Sequence, residues 1–539
     1  MSSEPEHIEY APDAQNIVIM GGGIAGCLTA LQLGRRKDEQ GRLLYHITIL
    51  EKEPVLFTAA SLMAYRLHNG GEYAKSTQTA LDCLHYAIIH KLLMPSEMYI
   101  KQDHMNFAVA QGSQESGELT FEKFKRHYQI LHGEYKKYFD MVQQSMGWTA
   151  EETADRLLGH PKDFYKVLDR NELKTFRQDY PTAHGVIKTQ EHGINTPLYL
   201  ASVEHELKLM PNVDIMVNCE VLPDAVSGSY QNFHIKYKYT GGPITQKETG
   251  KTIYANSIHS IEADQVIQAA GYGAFEITSM AEGETVNVYQ RGIMLVDMSN
   301  VPHKPQVFSL IDKHGFMVSY LNDKYALIYI PEAAYLGGGK ELKAGDSAIS
   351  EEWDNHPLDN DPHYQNWSQR YFEMIQKAIP GLENAIPVKL LIAPAINPSR
   401  KLEERQHIPV KERSDCYGYH EIILTKATYA AGEAAQISEI VDLRRREPEI
   451  PHSPPSLEEI IRNHKKYSLD DIKPRIIEAA HSLEALKLPS DMYVQPNTSE
   501  MGRELGNDIV EDPDRHVRPQ APLYTKRIGR GKNSGIPEH

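Results

Sequence analysis

Ile17-Val18-Ile19-Met20-Gly21-Gly22-Gly23-Ile24-Ala25-Gly26-Cys27-Leu28-Thr29-Ala30-Leu31, with Ile47-Thr48-Ile49-Leu50-Glu51 further on, is the stretch that decides the fold. An apolar strand runs into a glycine turn, a helix start follows, and a second apolar strand ends in an acid. That order is what a dinucleotide-binding unit requires. Each part has a physical task. Gly21 permits the tight turn off the strand, Gly23 lets a pyrophosphate approach the backbone, and Gly26 lets the helix pack close to the sheet. The pyrophosphate then rests on the unpaired N–H groups and positive dipole end of the helix, around Ile24 and Ala25. Glu51, followed by Lys52, stands roughly 25 residues past Gly26 against the usual ~20, with oxygens to accept from the ribose hydroxyls of an adenosine.

Three further segments choose the nucleotide. Beyond Glu51, residues Ala59-Ala60-Ser61-Leu62-Met63-Ala64-Tyr65-Arg66-Leu67-His68-Asn69-Gly70-Gly71-Glu72-Tyr73 supply small residues and glycines that let the backbone pass a flat ring. Ala263–Gly273 is a short apolar strand running into the small-residue turn Ala269-Ala270-Gly271, and Ala427–Ala435 carries Gly432 and Glu433 from a strand into a helix. Together with the first motif, this set resembles the FAD-dependent oxidoreductases of the D-amino acid oxidase superfamily, over most of residues 15–440. The resemblance implies FAD as cofactor. It implies that the ADP half lies on Gly21–Gly26 and that Ser61 and Arg66 pass along the flavin. Ala270 and Gly271 then close the nucleotide domain, and Gly432 and Glu433 hold the isoalloxazine end. It also places a backbone contact to the adenine at Val221.

Composition fits an intracellular soluble enzyme. The chain has 539 residues, 41% hydrophobic and 24% charged, enough for two or more domain-sized cores. A net charge of −16 argues against a general nucleic-acid surface. The four cysteines (Cys27, Cys83, Cys219, Cys416) show no metal spacing and no disulfide framework. Met1–Asp13 is polar with no secretory pattern, and no run approaches the ~20 apolar residues of a membrane span. The cytoplasm is the expected location.

The fold class expected is α/β: a doubly wound, Rossmann-type FAD-binding domain interleaved with a mixed-sheet α+β substrate domain, plus a C-terminal extension. The nucleotide domain is assigned residues 15–74, 191–288 and 395–446. Residues 75–190 read as the helical part of the substrate domain, through the apolar periodicity of Thr79–Leu93 and the amphipathic run 120–147. Residues 289–394 supply its sheet, with four strand-like runs in succession: Gly292–Val296, Val307–Leu310, Phe316–Leu321 and Tyr325–Ile330. Phe233, Ile235, Tyr237, Tyr239, Ile253 and Ile258 alternate as antiparallel strands do. After Pro448, Pro451, Pro454 and Pro455, residues 447–539 form a helical and flexible extension ending in basic residues, an expected surface arm for a protein partner or homo-oligomer.

The resemblance implies a small-molecule substrate, an amine or amino acid, whose carbon-bound hydrogen passes to the flavin as hydride. Arg400 is the candidate carboxylate clamp, because a planar guanidinium suits bidentate binding; a surface salt bridge within Lys401–Arg405 is its alternative. Tyr320 and Tyr329 face the site only if the strand register turns them inward. His68, beside Arg66 in the loop after the acid, is the candidate histidine. There is no second dinucleotide unit, redox cysteine pair, H-E-x-x-H or P-loop, so the chemistry falls to the flavin. Two other readings stay open. A flavin monooxygenase or halogenase shares the first motif, although the late segment lacks the histidine and proline such enzymes carry. A flavin-binding maturation factor acting on a partner protein is the other.

Overall fold

The structure is a computed structural model. It describes residues 8–492 except 58–60, 62–64, 101–104, 243, 246–251, 254–255, 272–284, 303–307, 312–314, 331–339, 344–361, 398–406, 425 and 486. The basic tail residues and Arg400 therefore lie outside the described residues.

The opening motif folds as its residues require. The strand Tyr10–Met20 pairs in parallel with Leu43–Leu50 on one side and Gln265–Gln268 on the other. Val213–Met216 and Tyr419–Glu421 extend the sheet in parallel, and Lys411–Glu412 adds an antiparallel edge, for six strands in all. Side chains alternate across it. Ile17 and Ile19 face a helical layer in which the helix Ile24–Gly34 packs against Thr196–Leu209 and the late helix Ala430–Arg446. Val18 and Met20 face Phe233, Ile235, Tyr237 and Tyr239 instead. That second face is covered by a three-stranded antiparallel sheet, Cys219–Ser227, Phe233–Tyr239 and Ser257–Ala263. Among the described residues the sheet is thus covered by helices on one face and by strands on the other, so the Rossmann-type unit stands while the doubly wound expectation is corrected. Within the covering sheet Ile258 pairs with Lys238 and points to solvent, while Ile261 and Ala263 face inward.

A second, nine-stranded sheet lies beside the first. Its order is Lys340–Lys343, Thr285–Asp297, Tyr325–Tyr329, Met317–Tyr320, Phe308–Ile311, Met105–Ala110, Ala183–Thr189 and Tyr165–Val167, with Ile386–Asn397 paired to Thr285–Asp297. Three of these strands come from residues 75–190, which corrects the expectation of a helical region there. Met105–Ala110 is buried along its whole length, and such a run carries neither a helical nor an alternating signature. The helices Thr77–Leu93 and Phe121–Met146 do form there, each capped by a hydroxyl (Ser76 and Thr120). On one face of the large sheet, Val318, Ala326 and Ile328 pack with Tyr371, Phe372 and Ile375 of the helix Pro362–Ala378. On the other, Phe107, Met317, Leu327 and Tyr329 join the core shared with the nucleotide sheet's helices.

The first part of the extension is integral to the body. Ile460, Ile461, Leu469, Ile472 and Leu483 are buried in the shared core. Leu469 donates its N–H to the Leu93 carbonyl at 2.7 Å, and Arg475 donates to Ser202 Oγ at 3.0 Å.

A buried polar chain at the far end of the nucleotide sheet makes stability depend on pH. His420 is fully buried, with Nε2 2.7 Å from Gln265 Oε1, and burial lowers its pKa from 6.5 to about 4. Between those values the unfolded chain binds more protons than the folded one, so stability falls as pH falls. The loss is of the order of 3 kcal/mol by pH 4. Thermal unfolding from pH 7 to 4.5 is expected to show a falling Tm, with a shallower slope in His420→Gln.

Candidate functional site

The glycine turn is held open by its neighbours. Gly21 has φ +110°, and a Cβ there would lie 2.6 Å from the Ala269 carbonyl oxygen. The Gly21 N–H donates to Leu50 O at 2.8 Å, and Ala269 N–H donates to Met20 O at 2.8 Å, so Ala270 and Gly271 lie beside the turn. A Cβ on Gly26 would overlap the Gly21 carbonyl, which is the close helix–sheet approach expected of that position. Gly23 differs. It caps the helix without a side-chain acceptor, and a Cβ there would meet only Ser61 Oγ, at 3.6 Å. The N–H of Ile24 reaches the same Ser61 Oγ at 3.4 Å, and Ala25 follows in the buried first turn.

Glu51 closes the other side of this cradle. Its Oε2 accepts the Gly22 N–H at 2.6 Å and its Oε1 accepts the Glu53 N–H at 2.9 Å. Burial raises its pKa, while those two N–H groups and Lys52 pull it back. Each carboxylate oxygen keeps a second lone pair for a ribose hydroxyl. Val221 sits two residues past Cys219, whose N–H donates to the Glu51 carbonyl at 2.7 Å.

From Ser61 the chain leads to the junction with the large sheet, where charge is concentrated. Arg66, on the two-residue strand Arg66–Leu67, is buried. Its Nε donates to Glu191 Oε1 at 2.8 Å and a terminal nitrogen donates to the same oxygen. The other terminal nitrogen is 3.4 Å from Glu72 Oε2 and touches Met317 Sδ, and the guanidinium lies 5.6 Å from the Phe107 ring centre. Burial works against the Arg66 charge, but Glu191 and Glu72 outweigh it and hold its pKa above the ordinary value. Burial pushes the Glu191 carboxyl up, with Arg66 opposing it. The Glu191 oxygen shared by two guanidinium N–H groups is ion-pair geometry. His68 Nδ1 stands 3.4 Å from Glu72 Oε2 and 3.9 Å from Glu191 Oε1. Its backbone N–H donates to Thr428 Oγ1 at 3.1 Å, which ties this loop to the start of the late helix.

The structure brings together Gly21, Gly23, Ile24, Ala25, Gly26, Glu51, Lys52, Ser61, Ala270 and Gly271 around the turn, and Arg66 and His68 at the junction. Tyr320 is a correction. It lies opposite Ala326, on the face that packs against Pro362–Ala378, and turns away from the nucleotide side. Tyr329, opposite Met317, faces inward. Gly432 is also placed differently. The room a Cβ would take belongs to Tyr86 of the helix Thr77–Leu93, so this glycine lets two helices meet. Glu433 is buried one residue on, its Oε1 2.9 Å from His407 Nε2 and its pKa raised by burial. In the sequence Glu191 and Phe107 carry no assigned role, and Glu72 and Met317 read only as members of a segment and a strand. They meet Arg66 through strand register, which no local pattern reveals.

The family model described as FAD dependent oxidoreductase (DAO) matches residues 16–390. The chain belongs to this family. Its members' cofactor is FAD, and the protein is an FAD-dependent oxidoreductase. No curated protein matches the chain. Among solved structures, it is similar to glycine oxidase from Geobacillus kaustophilus, with 13% identity, a TM-score of 0.48, and 80% of this chain and 95% of that one covered. It is also similar to L-amino acid deaminase from Proteus myxofaciens in complex with anthranilate, with 16% identity, a TM-score of 0.48, and 86% and 95% covered. NikD, an amino acid oxidase essential for nikkomycin biosynthesis, gives 11% identity, a TM-score of 0.49, and 83% and 96% covered.

The residues of this FAD-dependent oxidoreductase fit the cofactor where the motif places it. The space above Gly23, the helix N-terminus without a side-chain cap and the Glu51 carboxylate suit a pyrophosphate and a ribose. Two substitutions separate binding from folding. Gly23→Ala is expected to leave the apo Tm unchanged and weaken FAD binding at least tenfold, because the new methyl takes pyrophosphate space. Gly26→Ala is expected to lower the apo Tm itself; a normal Tm in that variant contradicts the packing role. At the junction, Glu191→Ala leaves Arg66 buried with only the longer contact to Glu72, and the loss of its main partner is expected to cost about 3 kcal/mol by denaturant unfolding.

Proposed function

We propose that this FAD-dependent oxidoreductase oxidises a carbon–nitrogen bond of an amine or amino acid. One observation carries the reading. At the junction Arg66 gives its two shorter carboxylate bonds to one oxygen of Glu191, which leaves Glu72, 3.4 Å from Arg66 and 3.4 Å from His68 Nδ1, as the more exposed carboxylate of the cluster. A second cation, Lys426, lies beyond Tyr73, with its ammonium over the Tyr73 and Tyr429 rings at 4.7 and 5.2 Å. A carboxylate in a half-buried, apolar-walled place favours a substrate cation over a neutral alcohol.

The roles follow from chemistry. FAD supplies the two-electron acceptor for hydride from the carbon beside the nitrogen. Glu72 binds the substrate ammonium, and the His68 imidazole beside it accepts the proton that the nitrogen must lose before its lone pair can assist C–H cleavage. Phe107, Met317 and Leu327 exclude water along the apolar wall. Arg400 is the proposed partner for the carboxylate of an amino-acid substrate. Among the described residues no helix is long and apolar enough to cross a membrane. Four cysteines scattered without a disulfide framework suit a cytoplasmic location, and residues 493–539 are the proposed contact for a protein partner or second copy.

Ammonia or amine-product release across a panel of amines and amino acids tests the reading. Glu72→Gln is expected to raise KM for the accepted amine about tenfold with FAD content unchanged. Arg400→Ala is expected to raise KM for amino acids and leave simple amines unaffected. Turnover that requires a reduced nicotinamide favours the monooxygenase alternative. Flavin reduction only in the presence of a protein partner favours the maturation factor.

A further inference from the structure

Ser319 is the unexplained polar group of the inward sheet face. It lies in the strand Met317–Tyr320, directly opposite Leu327 of Tyr325–Tyr329. Residues paired this way point to the same face. Leu327 and Met317 belong to the core shared with the nucleotide sheet's helices, while Val318 and Ala326 belong to the core on the opposite face. Ser319 therefore points towards the nucleotide side, two residues along the strand from the methionine that touches Arg66. It is 1% exposed, and its Oγ has no hydrogen-bond partner.

A buried hydroxyl without a partner is costly, and an alanine or valine would fill the same place in a sheet without that cost. Among the described residues its same-face neighbours give it nothing: Leu327 and Met317 are apolar, and Ser309, opposite Met317, makes no hydrogen bond to it. The missing partner belongs to something that enters between the sheet and the Arg66 loop. We propose that Ser319 Oγ accepts a hydrogen bond from the nitrogen of the substrate amine, making it a specificity-determining residue. This rests on the C–N oxidation proposed above. Two residues of strand span about 7 Å, so Ser319 lies one same-face step along the strand from Met317 and its contact with Arg66.

The test uses the FAD-loaded enzyme and tert-butylamine, which has no hydrogen on the carbon beside its nitrogen and so binds without being oxidised. Its Kd is read from the change it causes in flavin absorbance. Ser319→Ala and Ser319→Cys are compared with the parent, together with FAD content, flavin spectrum and Tm. The expected result is a Kd raised about tenfold in Ser319→Ala and raised less in Ser319→Cys. FAD content and spectrum should not change, and the Tm of Ser319→Ala should be equal or higher because the orphan hydroxyl is gone. An unchanged Kd overturns the proposal and leaves the amine reading standing. A changed flavin spectrum in the ligand-free variant assigns the hydroxyl to the cofactor and also overturns it. So does a loss confined to pivalate, the carboxylate of the same shape, which assigns the hydroxyl to a carboxyl group. If the parent enzyme neither binds tert-butylamine nor oxidises any amine, the C–N reading itself fails and the Ser319 assignment falls with it.

Discussion

The buried ion pair between Arg66 and Glu191 is the constraint on which the rest of this architecture depends. Glu191 is fully buried, and such a carboxylate is tolerated because two guanidinium donors converge on one of its oxygens and the Asn69 N–H reaches the other. Pairing so deep in the protein fixes both backbones: Arg66 opposite Gly193, and Glu191 at the entry to the strand His192–Ile194. The same guanidinium touches Met317 and Phe107, so the inward face of the large sheet is registered against the loop that leaves the glycine turn. One charge thus sets the spacing between nucleotide-binding and substrate-facing elements. It also settles what Arg66 does not do. Committed to Glu191, it is a poor clamp for a substrate carboxylate, and the charge-selecting group proposed above is Glu72.

The nucleotide end works on a different principle. There the binding power comes from backbone, because Gly21, Gly23 and Gly26 clear space and a helix N-terminus aims its N–H groups into it. Glu51 braces the turn by accepting the Gly22 N–H and still presents an acceptor edge. The cofactor end is thus shaped by the absence of side chains. The proposed substrate end relies instead on polar side chains: half-buried Glu72 and His68, and buried Ser319.

What the sequence reveals follows how local each determinant is. The glycine turn, Glu51, Ser61 and the first strands could be read directly, because strand, turn and helix are contiguous and each glycine has a local reason. Alternation in the strands Met317–Tyr320 and Tyr325–Tyr329 was also legible, but alternation gives a period without a phase. A one-residue shift reverses every side chain, and that is why Tyr320 turned out to face Pro362–Ala378 while Tyr329 faces inward. Met105–Ala110 escaped notice because a strand buried on both faces has no alternation to show. Glu191 lies 125 residues from Arg66, and only the folded register joins them.

The measurement that tests the account most directly is anaerobic reduction of the bound FAD, followed near ~450 nm, by amines and by alcohols of matching shape. The account predicts that an amine with a hydrogen on the adjacent carbon bleaches the flavin and that its alcohol counterpart does not. Bleaching by the alcohol alone, or by no amine at all, would contradict it.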